Sequence, residues 1–76
     1  MNKERRQVLR NVKHQLSSLK DTIEETRDAE DEARDGMPEN LVYSDRYEQS
    51  ERASESMDEA IDSIDEAISA LEEALD

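Results

Sequence analysis

Residues 53–75 read ASESMDEAIDSIDEAISALEEAL, and Ala53, Met57, Ala60, Ile61, Ile64, Ala67, Ile68, Leu71, Ala74 and Leu75 recur there at the spacing of one helix face. With Tyr47 at position a of a heptad, Tyr47, Ser50, Ser54, Met57, Ile61, Ile64, Ile68, Leu71 and Leu75 fill successive a and d positions without a skip. A stripe this regular needs a partner helix. The preceding half of the chain supplies one, since Leu9, Val12, Leu16, Leu19, Ile23, Thr26, Glu30, Ala33 and Met37 also step by three and four.

The boundaries follow from local chemistry. Gly36 suits a left-handed cap and Pro38 cannot continue a helix, so the first helix is expected over residues 3–35. Residues 36–43 form the turn. Ser44 is the expected N-cap of a second helix over 44–75, with Asp45 in the first turn where the helix dipole favours an anion. Two helices of similar length joined by a short loop predict an all-α antiparallel coiled-coil hairpin, a single unit spanning residues 1–76.

Charge on the flanks sets the orientation. Position e of the first helix carries Arg6, Lys13, Lys20, Arg27 and Arg34, and position e of the second carries Glu51, Asp58, Asp65 and Glu72. Folding back at the loop pairs Arg34 with Glu51, Arg27 with Asp58, Lys20 with Asp65 and Lys13 with Glu72. Exposed pairs stabilise little individually, so their use is to fix orientation and register.

Position g is small and uncharged: Val8, Gln15, Thr22 and Ala29 in the first helix, Ala53, Ala60, Ala67 and Ala74 in the second. These residues widen the apolar stripe beyond what one antiparallel partner covers. A chain of 76 residues with two tyrosines, no Phe or Trp and no cysteine has one thin core and no covalent staple. The expectation is a homodimer, a four-helix bundle with the g residues at its interface.

Net charge is −12, and it is uneven. Residues 1–20 carry six bases against Glu4, and residues 63–76 carry five acids, so that end cancels. Residues 21–62 hold sixteen acids against Arg27, Arg34, Arg46 and Arg52, placing the entire excess on the half nearest the loop. Thr26, Glu30, Ser50 and Ser54 also weaken the seam there. Over a rise of about 30 Å this half presents about one net charge per 2.5 Å, against about one per 1.7 Å in duplex DNA. Asp21, Glu24, Glu25, Asp28, Asp31, Glu32 and Asp35, with Glu48, Glu55, Glu59 and Asp62, point outward as candidate partner-binding residues. Such a tip fits the basic channel of a nucleic-acid-binding protein and is steered to it at long range. A structural module whose function is self-association is the alternative.

Catalysis has little support, and no enzyme is expected. His14, the sole histidine, falls at a solvent-facing f position, and a two-helix rod has no desolvating pocket to raise a carboxyl pKa. Asp28 to Gly36 lacks the loop spacing of a calcium site, no glycine-rich phosphate loop occurs, and no cofactor or metal is expected. Direct nucleic-acid binding is not expected either, because the basic N-terminal segment has no aromatic interleaving and is matched by the acidic C-terminus. The basic start is followed by no apolar run of signal-peptide length and no membrane span, so the expectation is a soluble cytoplasmic protein.

The turn Gly36-Met37-Pro38-Glu39-Asn40-Leu41, then Ser44-Asp45-Arg46-Tyr47-Glu48 and the repeated Glu-Ala-Ile pattern, resembles small acidic helical-hairpin proteins of Gram-positive bacteria and their phages and prophages. The resemblance covers most of the chain. It brings no catalytic or binding residues with it. Its phage setting implies an inhibitor of host defence acting in the host cytoplasm, of the anti-CRISPR or anti-restriction kind.

Overall fold

The computed structural model describes all 76 residues as two long helices, α1 (Lys3–Asp35) and α2 (Asp45–Leu75), joined by a loop that contains the 3-10 turn Glu39–Leu41. The helices pack antiparallel into a rod of 60 × 14 × 13 Å. Its radius of gyration, 17.4 Å, compares with about 11 Å for a globular domain of this length.

Each helix starts on a side-chain cap. Asn2 Oδ1 accepts the Arg5 backbone N–H at 2.8 Å, and Glu4 lies in the first turn. Ser44 Oγ accepts the Tyr47 N–H at 3.3 Å while donating to the Leu41 carbonyl at 2.6 Å, which ties the loop to the first turn of α2. At the open end of the rod the Arg6 guanidinium donates to the carbonyl of Leu75, a cation on the C-terminal end of the α2 dipole.

The first helix ends differently from the expectation. Gly36 has φ −83° and ψ −1°, a right-handed conformation, and no residue has positive φ. Gly36 N–H reaches the Glu32 carbonyl, and Met37 N–H reaches that of Arg34, both at 3.1 Å. The last turn thus tightens toward Pro38, which lacks the N–H needed to go on.

A two-helix rod has little interior. Ile61 is the one buried apolar side chain, at 6% exposure; Leu9, Val12, Leu16, Ile23, Met57, Ile64, Ile68, Leu71 and Leu75 along the seam are half-buried. Total accessible surface is 5829 Å², against about 4,800 Å² expected of a compact chain of this mass.

Candidate partner-binding surface

The seam has one closed flank and one open flank. On the closed side the e positions meet as the charge pattern predicts: Lys13–Glu72 at 3.6 Å, Lys20–Asp65 at 2.8 Å and Arg27–Asp58 at 2.7 Å. The hydrogen bonds to Asp65 and Asp58 hold the Lys20 ammonium and the Arg27 guanidinium above their ordinary pKa values, with the neighbouring carboxylates adding to the effect.

The fourth predicted pair does not form. Arg34 turns inward instead of toward Glu51: Nη1 donates to the Ser50 carbonyl at 3.1 Å, Ser50 Oγ at 3.2 Å and Ser54 Oγ at 2.9 Å, while Nη2 meets Asp31 at 2.8 Å. Ser50 in turn donates to Glu30 Oε2, and Ser54 to Asp31 Oδ1, each at 2.6 Å. The cause lies in the seam itself. Ser50 and Ser54 occupy a and d positions, are the two buried polar residues, and must find partners once water is excluded. A guanidinium with five donors reaches both, whereas Glu51 would leave them bare. No buried side-chain nitrogen or oxygen is left without a partner. Serines in adjacent seam positions opposite Glu30 were the signal for this layer, since polar seam residues have to be answered across the interface.

The layer removes one residue from the candidate acidic face. Asp31 is half-buried, and the Ser54 hydroxyl, then Arg34, hold its carboxyl below the ordinary 3.8. Asp28 is exposed but shared with its neighbour Arg27, 3.2 Å away, and Glu24 is half-exposed. Asp21, Glu25, Glu32, Asp35, Glu48, Glu55, Glu59 and Asp62 are exposed as expected. Around a heptad, b adjoins e and c adjoins g, so Glu24, Glu48, Glu55 and Asp62, all at b, border the closed flank. Asp21, Asp28, Asp35 and Glu59, at f, face away from the seam. Glu25 and Glu32, at c, border the open flank, so the anionic surface wraps the closed and outer sides of the loop half and reaches the α1 edge of the open flank. Two loop residues that the heptads do not address, Leu41 and Tyr43, stand out at its end, Tyr43 at 93% exposure.

The open flank has opposite character. Val8, Gln15, Thr22, Ala29, Ala53, Ala67 and Ala74 are exposed there, with Ala60 half-buried. Leu19, Thr26 and Ala33, expected in the seam, are exposed as well, Leu19 at 57%, because the e flanks close the hairpin and tilt the d positions of α1 outward. Thr22 and Thr26 donate their hydroxyls to carbonyls of their own helix, at 3.2 and 2.8 Å. Beyond Arg46, the c and g positions of α2 carry only Ala, Ser and Gln. His14 is exposed at the edge of this flank, in a shallow open groove with Gln15, Ser18 and Leu19.

Models of protein families, curated proteins and solved structures gave no match to this chain. No helix is long and apolar enough to cross a membrane. The surface is legible through its own chemistry: a dense anionic face on one half of the rod, and a flank that is uncharged along α2 beyond Arg46 and bordered on α1 by Glu25 and Glu32.

Proposed function

We propose that the protein is a stoichiometric, non-enzymatic inhibitor whose acidic loop half occupies the nucleic-acid channel of a basic protein. The observation that carries this is the disposition of cations. Lys20 and Arg27 are engaged in pairs on the closed flank and Arg34 in the polar layer of the seam, so the remaining acids of the loop half stay outward and largely unneutralised. A polyanionic rod 13–14 Å across presents a partner with charge spaced like a phosphate backbone on a rigid support. The phage setting of the resembling hairpins favours a nuclease or another nucleic-acid-binding defence protein as target. The working unit in this proposal is a homodimer joined through the open flank.

The test is to immobilise the full chain, expose it to host lysate, and identify what elutes. A nucleic-acid-binding protein that leaves the resin with rising salt, and is displaced by added duplex DNA or RNA, supports the proposal. Retention indifferent to both overturns it. The open flank favours a second reading, an assembly module that self-associates; a closed dimer with no salt-labile partner is its signature.

A further inference from the structure

Resting on the function just proposed, we infer that Tyr43, at the loop end of the acidic half, takes the place of an unpaired base, so that the target is a protein whose channel stacks bases lying outside a duplex.

The loop sorts its apolar side chains into two sets. Met37, Val42 and Tyr47 are half-buried, whereas Leu41 and Tyr43 stand in water at 43% and 93% exposure. The chain has two aromatic rings and one thin seam, and it places one of those rings where the hairpin gains nothing from it. Burying a tyrosine removes about 150–250 Å² from water, so this ring is the largest apolar contact that the tip has to offer a partner.

The backbone that carries the ring is braced. Leu41 N–H donates to the Pro38 carbonyl at 2.9 Å and Val42 N–H to that of Glu39 at 3.3 Å. Ser44 donates both its N–H, at 3.0 Å, and its hydroxyl, at 2.6 Å, to the Leu41 carbonyl. Tyr43 lies inside this set of bonds, so a partner that closes on its ring has little loop freedom to remove.

Charge brackets the ring. Asp35 and Glu39 before it, and Asp45 and Glu48 after it, are exposed, with Arg46 the one cation among them. An aromatic ring carried among carboxylates has the chemical outline of a nucleotide whose base is turned out. A channel made for nucleic acid is basic where phosphates lie, and it is aromatic or apolar where it receives the flat faces of bases. In a duplex those faces are hidden in the stack, so a recess that admits them belongs to a protein that binds single strands or turns a base out. A rod whose acids follow the phosphate path brings Tyr43 to such a recess.

The test uses the full chain on resin and the salt-eluting, nucleic-acid-binding protein that it captures. Tyr43→Phe and Tyr43→Trp keep a ring and should bind within about threefold of the unmodified chain, whereas Tyr43→Leu, apolar without a flat face, and Tyr43→Ala should lose at least about tenfold. The dependence on salt should be the same in all four, because no charge is removed. Helicity should match the unmodified chain throughout, since the ring is exposed. A single-stranded oligonucleotide of about 16 nucleotides should displace the captured protein at lower concentration than a duplex of the same length. Tyr43→Ala or Tyr43→Leu binding like Tyr43→Phe, or a duplex displacing as readily as a single strand, overturns the base-like role of Tyr43 and leaves the charge-based function standing. If the unmodified chain captures no salt-labile nucleic-acid-binding protein, the proposed function fails and the role of Tyr43 with it.

Discussion

Ser54 donates its hydroxyl to Asp31 across the helix pair at 2.6 Å, and Arg34 closes on both from the same side as Asp31. This small layer fastens the loop half of the rod, where large apolar residues are scarce. Ser54→Ala removes a buried donor and acceptor together, a change worth about 1–2 kcal/mol, which for a domain of this size lowers Tm by about 5–10 °C. Glu51→Gln, at the position where flank charge alone would put the partner of Arg34, should shift Tm by no more than about 2 °C. Thermal unfolding followed by circular dichroism separates the two. Equal losses would mean that Arg34 pairs outward after all.

Asp31 also gives the layer a pH signature. Its carboxyl is held below the ordinary 3.8, first by the Ser54 hydrogen bond and then by Arg34, so the ionised form is favoured in the folded state. A depressed acid contributes stability that is fully present above its ordinary value and is lost as pH falls through the lower folded one. Asp31→Asn should therefore be less stable than the unmodified protein at pH 6 and should approach it below pH 3. Protonation of the other carboxylates relieves repulsion in both proteins alike, so the difference between their urea midpoints is the quantity to follow. A gap that stays constant with pH would show that Asp31 acts through shape alone.

The register of the hairpin rests on Lys20 and Asp65, 2.8 Å apart and 45 residues apart in the chain. Lys20→Glu should lower Tm by about 2–5 °C, and adding Asp65→Lys should recover most of that loss, because the reversed pair meets in the same geometry. The Lys20 side chain is held above its ordinary pKa of 10.5 chiefly by the Asp65 hydrogen bond, so the pair's contribution should be intact at neutral pH and fade only as pH rises through that elevated value. Zero coupling in the double-mutant cycle would contradict the observed pairing.

The heptad spacing and the sign-sorted e positions carry the hairpin, its direction and three of its four cross-helix pairs. The periodic pattern has enough repeats to override local ambiguity. What it does not carry is the choice a side chain makes when two partners compete. Arg34 sits at e like Arg27, yet two buried hydroxyls offer it more than one surface carboxylate does, and a letter in a heptad holds no record of that. Leu19 shows the complementary limit: position d implies a seam, but which of a and d is covered depends on how far the flanks rotate the helices, a tertiary quantity. The acidic site was legible in the same uneven way. The residues at b and f remain outward because nothing in the hairpin opposes them, whereas Asp31, also at b, has Ser54 and Arg34 within reach.

The open flank makes a separate prediction, because in the proposed dimer it is the face a second copy covers. Replacing Ala60 and Ala67 with Glu puts four like charges into the proposed dimer interface. The variant should sediment as a monomer with markedly reduced helicity, while Glu48→Ala and Glu59→Ala, on the closed-flank and outer surfaces, should remain dimeric. If the glutamate variant keeps the mass and helicity of the unmodified protein, the flank is solvent-facing in the assembly too.

Inhibition should depend on charge at the tip and not on its shape. Asp21, Glu25, Glu32 and Glu55 are exposed and belong neither to the polar layer nor to an interhelical pair, so Asp21→Asn, Glu25→Gln, Glu32→Gln and Glu55→Gln together remove four negative charges with every interhelical contact intact. Because the phosphate-like surface acts through summed charge, capture of a nucleic-acid-binding target should fall at least tenfold, and the remaining binding should depend less steeply on salt. Helicity and sedimentation should not change, which separates lost recognition from lost structure. Amides at Glu66 and Glu73, two exposed stem acids outside the interhelical pairs, should leave capture within about twofold, since that half is far from the proposed contact and short-range screening isolates it. Should the tip amides bind and inhibit like the unmodified chain, the acidic half is a solvated surface and the uncharged flank is left as the feature through which this protein acts.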